Sequence, residues 1–262
     1  MPGAQVGQTP RMDVADRRAH ELRLAPDRAL VDLDQAAAWV GERGMVTITP
    51  DSALPSLFAA CHEEPYAEGS RGFGNWPATK YTWPFELSRH EGVHALRIHR
   101  GRRLLVSDAV AEVVDPLARA ALAEAEDSPL VAHLAAAGPS LVEELREELG
   151  LDAGGLRRLR GPLERTGALL SRSVVVPAAN GGHRHTSELR RWDQVFPQAP
   201  TAPGGIEELL VAGVRAAVAA PESEVGRWFS WALPRGALDR LVNEGRLARE
   251  GELVVAGTAR HT

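Results

Sequence analysis

The 262-residue chain has one cysteine, Cys61, and one lysine, Lys80. A single thiol excludes an internal disulfide framework and fits a reducing compartment, so a cytoplasmic location is expected. No apolar run reaches the ~18–20 residues of a membrane span, and no membrane partner is expected. The opening stretch, MPGAQVGQTPRMDVADRR, has no apolar h-region. A secretory signal is therefore not expected, and the first residues read as a loose tail. Aromatics are scarce at 5%, yet Tyr66, Phe73, Trp76, Tyr81, Trp83 and Phe85 crowd into one glycine-rich stretch. Trp228 and Trp231, by contrast, read as core.

What is present in quantity is alanine, leucine and arginine. Hydrophobic residues make up 44% and charged residues 25% of the chain, enough for a soluble protein with a sizeable core. The net charge of −5 excludes a uniformly basic nucleic-acid binder, but a mean hides segregation. Residues 151–192 carry eight arginines against Asp152, Glu164 and Glu188, a local balance of +5. Residues 97–103, RIHRGRR, hold four arginines and no acid.

Two stretches share one plan. The first opens at Ser128-Pro129, a serine cap followed by proline at the first helical position, and stops at Gly138. Ser140-Leu141-Val142-Glu143 has capping-box spacing and starts a second helix through about Leu149. A third helix is expected from Asp152 to Thr166, with Leu156, Leu159 and Leu163 inward, a kink at Pro162 and Gly167 past its end. Ser171–Val176 and Thr186–Trp192 then read as strands around an Asn180-Gly181-Gly182 turn. Three helices and a hairpin make a winged helix, whose third helix normally enters the major groove. About 78 residues later the plan recurs: a helix over Ile206–Ala220, a short one from Pro221 to about Trp228, a third over Pro234–Glu244, and a hairpin through Glu250-Gly251. The acidic tip of that second hairpin suggests that this copy packs within the protein. PQAPTAPGG, residues 197–205, reads as the linker between the copies.

The fold class expected is therefore mainly α with small β-hairpins, as tandem winged-helix units. The expected domains are residues 1–126, with the aromatic loop, 127–196 and 205–258. In the first, helices are expected over Asp32–Arg43, Leu54–His62, Phe85–His99 and Asp108–Glu126. Short strands are expected at MVTIT and Leu104–Ser107. Whether this part is a third winged helix is left open by the sequence.

The order of these elements carries a resemblance. Val40–Val46 (VGERGMV), Leu54–Ala59 (LPSLFA), Arg100–Ser107 (RGRRLLVS) and Leu159–Leu170, ahead of and within two winged helices, resemble the AlkZ-like winged-helix superfamily, most nearly its short AlkZ-related branch. The best-studied members are DNA glycosylases that excise alkylated bases and unhook interstrand crosslinks. The resemblance implies a fold and a DNA-facing surface. It does not carry over the glycosylases' Gln-x-Gln or Gln-x-Asp motif, because Gln5, Gln8, Gln35, Gln194 and Gln198 form neither. No catalytic residue is assigned. Glu86, Glu91 and Asp108 are the acids near the arginine patch that a substituted active site would draw on.

His90-Glu91-Gly92-Val93-His94 is a literal H-E-x-x-H, which on a helix puts two imidazoles and a general base on one face for a zinc hydrolase. Its surroundings argue against that: Arg100 stands where an extended motif has histidine, and Gly92 costs a helix about 1 kcal/mol against alanine. Only Glu112 or Glu124 remain as a third ligand. No metal site and no cofactor are expected. DNA contact is expected from Arg157, Arg158, Arg160 and Arg165 on the third helix, from His183, Arg184 and His185 on the hairpin, and from Arg97, Arg100, Arg102 and Arg103. Trp76, Tyr81 and Trp83 are candidates for stacking on a base. The function expected is double-stranded-DNA binding, on intact or damaged duplex, linked to DNA repair. The alternatives are a glycosylase acting on alkylated bases, a zinc hydrolase on HEGVH, and a transcription regulator.

Overall fold

The computed structural model describes residues 13–177, 181–198 and 204–257. The expected N-terminal tail, Asn180 of the expected turn and residues 199–203 of the expected linker lie outside them. After a first helix α1 (Val14–Glu21), one element order occurs three times. In the first unit it is α2 (Leu33–Arg43), β1 (Met45–Thr47), α3 (Leu57–Cys61), α4 (Trp83–Leu87), β2 (Val93–His99) and β3 (Arg102–Ser107). A long helix, α5 (Asp108–Glu124), follows. The second unit is α6 (Pro129–Ala137), β4 (Ser140–Leu141), α7 (Val142–Glu148), α8 (Ala153–Arg165), β5 (Leu169–Pro177) and β6 (His183–Arg191), followed by the short α9 (Trp192–Val195). The third is α10 (Ile206–Ala217), β7 (Ala219–Pro221), α11 (Glu222–Val225), α12 (Ala237–Asn243), β8 (Leu247–Glu250) and β9 (Leu253–Ala256). Each unit closes a three-stranded antiparallel sheet in which its first strand pairs with its third and the third with its second. Helices with small antiparallel sheets make this an α+β fold. The N-terminal part, left open by the sequence, has the same helix-strand-helix-helix-hairpin order as the other two units.

Local chemistry sets most of the boundaries. Asp32, Ser107 and Asp152 cap α2, α5 and α8 with side-chain oxygens that accept from backbone N–H groups, satisfying donors a helix start leaves unpaired. α8 runs unbroken past Pro162. Four expectations are corrected. Phe85–His99 is not one helix: α4 ends at Leu87, and the chain turns and enters β2. Ser140 is a strand residue, and the Glu144 carboxylate accepts from the Leu141 N–H at 2.8 Å to start α7, one position later than expected. The second unit's hairpin is longer than expected, so His183, Arg184 and His185 lie on its β6 arm opposite Pro177, Val176 and Val175. The apolar run after Ile206 stops being helical at Ala217, and Ala219–Pro221 is strand.

The main core runs through the first and third units and α5, and takes in Val131, Ala168, Leu170 and Trp192 from the second unit and α9. Met45, Leu96, Ile98 and Leu104 meet Val110, Val114 and Ala118 of α5, and Leu209, Val214 and Trp228 of the third unit. A second cluster lies beneath α2 and α3, around Trp39, Leu57 and Leu87. The second unit has a leucine cluster of its own: Leu130, Leu134, Leu145, Leu156, Leu169 and Leu189. Among the described residues no helix is long and apolar enough to cross a membrane.

Candidate nucleic-acid interface

The first unit's hairpin positions the arginines of RIHRGRR. Val93, Leu96 and Ile98 are buried on β2, and Arg100 and Gly101 make the turn with φ of 51° and 74°. Left-handed backbone at both central residues is what a type I′ two-residue hairpin requires. Gly101 also admits a neighbour: an added Cβ there would come within 3.3 Å of Arg165 Cδ on α8. Helix α8 therefore lies with its C-terminal half against the first unit's hairpin.

This contact builds an ionic junction. Glu164 of α8 is 6% exposed. Its carboxylate stands 3.7 Å from Arg97 Nε on β2 and 3.9 Å from Arg160 Nε one turn back. Neither distance is a hydrogen bond, and both Arg97 Nε and Glu164 Oε1 are buried without one. Arg103 lies over the Phe85 ring, 5.0 Å from its centroid. Burial lowers its guanidinium from the usual range, Arg97 lowers it further, and Glu164 opposes both.

Beside the junction is a cavity of about 470 Å³. Thr47 lines it from the end of β1, Thr49 and Asp51 from the segment that follows, Trp76 and Phe85 from the aromatic stretch, and Arg97, His99, Arg102 and Arg103 from the hairpin. Arg102 is paired with Asp51, and the other Asp51 oxygen is 3.5 Å from His99 Nε2. His99 is wholly enclosed. Burial lowers its pKa, with Asp51 pulling the other way and Arg100 adding to the fall.

The predicted contact residues fall into three groups. Arg157 and Arg158 are exposed on the N-terminal part of α8, with no ion pair among the described residues. Arg160 is half-buried beside Glu164 at the junction just described, and Arg165 is exposed, with its side chain running past Gly101 of the first unit's hairpin. Arg100 and Arg102 are tied down at the junction's edge: Arg100 Nε donates to the Arg227 carbonyl at 3.0 Å, and Arg102 holds Asp51. On the long hairpin, His183, Arg184 and His185 are exposed. Arg184 is held 2.7 Å from Glu143 of α7. Partial burial alone would raise the Glu143 pKa, but hydrogen bonds from Thr186 and Arg184, with a backbone one, hold it below the usual carboxylate range. Of the stacking candidates, Trp76 reaches the cavity, while packing 5.4 Å from Phe58 and 5.1 Å from Phe73. Tyr81 sits edge-on to Phe73 at 5.3 Å and Trp83 lies beneath Lys80 Nζ at 5.2 Å; both cap the aromatic cluster and neither lines the cavity.

HEGVH is not the zinc helix its spacing suggests. His90, Glu91 and Gly92 form a turn with Gly92 at φ 75°, and His94 is already on β2. The turn breaks the one-turn stacking that would bring two imidazoles to one ion. Instead His94 Nε2 meets Asp108 Oδ1 at 2.6 Å, and His90 Nδ1 lies 2.8 Å from the Glu91 carbonyl. Among the described residues no group of three histidine, cysteine or acidic side chains is disposed to hold a metal. The zinc-hydrolase alternative is withdrawn on that geometry. Glu86 and Glu91 are exposed, and none of Glu86, Glu91 and Asp108 lines the cavity.

Asp51, His99 and Glu164 do not stand out as site residues in the sequence. A signal for His99 is nevertheless present: alternation along VHALRIH, followed by a two-residue Arg-Gly turn, places Arg97 and His99 on one face of a strand. Nothing comparable marks Asp51, which reaches the site from a loop.

No protein-family model matches the sequence, nor does any curated protein sequence. Among solved structures, the Streptomyces sahachiroi DNA glycosylase AlkZ matches over 91% of this chain and 67% of its own, at 16% identity and a TM-score of 0.46. At that score the match bears no argument about activity or partner.

Proposed function

We propose that this chain binds double-stranded DNA through the N-terminal half of α8 and the β5–β6 hairpin, with the arginine junction alongside, in the context of DNA repair. The observation that carries the reading is a contrast between the two C-terminal units. In the third unit the arginines of α12 and of the hairpin that follows it are clasped by its own acids: Arg240 by Glu207, Arg246 by Glu208, and Arg249 by Glu222 and Asp239. In the second, Arg157 and Arg158 stand exposed on the outer face of the helix that a winged helix lays in the major groove. Guanidiniums presented this way fork onto phosphates and guanine edges. The third unit's acidic tip, Glu250 and Glu252, is also exposed, which suits a packing role away from an anionic partner.

Binding of a short duplex should weaken linearly on a log–log plot against salt, because displaced counterions are released. Replacing Arg157 and Arg158 by glutamine should lower that slope by about one for each phosphate the variant no longer neutralises. Arg240→Gln should leave it unchanged. A protein that binds no duplex at low salt sinks the reading.

Asp51 favours a second reading, removal of a base from DNA. It is the carboxylate lining the cavity, with an enclosed imidazole 3.5 Å away and Trp76 in the same lining, a set of groups suited to activating water near a stacked base. That reading predicts alkali-labile abasic sites in alkylated DNA, lost in Asp51→Asn. Their absence with the unaltered protein rejects it.

A further inference from the structure

We propose that the cavity beside the junction binds a terminal phosphate monoester, so that the protein recognises phosphorylated strand ends in the DNA that α8 contacts. The inference deepens the DNA-binding reading and rests on it for the identity of the polymer.

The argument is one of charge and geometry. Arg97, Arg103 and Arg160 surround one carboxylate, Glu164, which leaves a formal excess of two positive charges at a half-buried place. Arg102 adds nothing to the excess, because Asp51 neutralises it. Like charges this close repel, and burial removes the water that would screen them. Such a cluster is stable when an anion completes it. A phosphate monoester carries about −1.5 to −2 at neutral pH and a diester only −1, so the excess matches a strand end better than an internal backbone link. The donors are in place: Arg97 and Arg103 both line the cavity, and Arg97 Nε is buried with no hydrogen-bond acceptor among the described residues. Arg103 makes no hydrogen bond among the described residues, and its guanidinium carbon lies over the Phe85 ring, 5.0 Å from the centroid. A guanidinium whose donors are not already engaged can offer them in a fork to a phosphate. The cavity is large enough, at about 470 Å³, for a phosphate with its sugar and base, and Trp76 offers the base an apolar wall.

The test compares nicked duplexes that differ only at the nick: 5′-phosphate, 3′-phosphate, or hydroxyl on both sides. Affinity should be roughly tenfold higher for one phosphorylated nick, and the two phosphate arms report which strand end is read. Arg103→Gln and, separately, Arg97→Gln should bring the affinities for the three nicks together within each variant, whatever the change in overall duplex affinity; a thermal melt of each variant confirms folding. In parallel, thymidine 5′-monophosphate should raise the melting temperature of the unaltered protein and thymidine should not. Equal affinity for all three nicks, or a preference that survives in both variants, overturns the inference while duplex binding stands. Equal melting shifts with nucleotide and nucleoside overturn it without any DNA present. Failure to bind every duplex overturns the DNA reading instead.

Discussion

His99 has no exposed surface, and its Nε2 stands 3.5 Å from Asp51 Oδ1. Burial is the larger influence on it, so its pKa is lowered despite Asp51 nearby. The consequence for stability has a definite sign. In the unfolded chain the imidazole takes a proton below about pH 6.5; in the native state it stays neutral until the pH falls further. Between those two values the unfolded state binds more protons, and stability falls as the pH falls. Above about pH 6.5 both states are neutral and the term vanishes. His99→Gln removes this one titration and leaves those of the other histidines. Thermal melts between about pH 8 and pH 5 should therefore show a shallower acid-side loss for the variant than for the unaltered protein. Parallel curves would mean that His99 protonates as readily in the native state as in the unfolded chain.

At the scale of elements, α5 ties the second unit to the rest through one buried carboxylate. Asp115 is 3% exposed. Its Oδ1 accepts from Trp192 Nε1 of α9 at 2.7 Å and its Oδ2 from Arg119 Nε at 2.7 Å. Arg119 in turn donates to the carbonyls of Phe196 and Gln198. Asp115→Ala leaves an indole N–H and a guanidinium without their acceptor and should cost about 3–5 kcal/mol in urea unfolding. Asp115→Asn keeps the shape and an acceptor, and should cost less. A loss under about 1 kcal/mol for alanine would show that α9 docks by its ring packing alone.

The same elements show what a sequence can and cannot display. Leucines at helical spacing, serine and aspartate caps, and glycines past helix ends are local signals, and α5, α6 and α8 follow them closely. The strand β2 reads as helix in the sequence because its histidines match a helical motif and its alternation is short, with charged and apolar residues mixed. Asp115 is invisible there for a different reason. A lone acid in an amphipathic helix reads as solvated, and only the arrival of Trp192 from 77 residues away makes it a core residue. Helical spacing turns Arg160 outward with Arg157 and Arg158. The docking of α8 on Gly101 decides otherwise, and that contact depends on tertiary packing, which spacing does not encode.

Across the whole molecule, the first and third units share a core although the second separates them in sequence. Ser230 donates both its N–H and its hydroxyl to the Ile98 carbonyl, at 3.0 and 3.1 Å. Glu224 Oε1 accepts from Ala53 N and Trp228 Nε1, each at 2.8 Å. Trp228 lies against α10 where Gly213 leaves room for its ring, since a Cβ there would meet the indole at 3.0 Å. Its apolar surroundings include residues of both units, so the loss of this ring should be felt in both. Trp228→Ala should cost about 3–5 kcal/mol, and amide exchange should speed up together in α10 and in β2 and β3, elements far apart in sequence. Leu145→Ala strikes the separate leucine cluster and should loosen α6, α7 and α8 while β9 keeps its protection. If Trp228→Ala left β2 exchange unchanged, the first and third units would be independent folding units that merely touch. If both variants speeded exchange everywhere, the chain would open only as a whole. The shared core predicts neither: it predicts one cooperative body made from the two ends of the chain, with the second unit able to open on its own beside it.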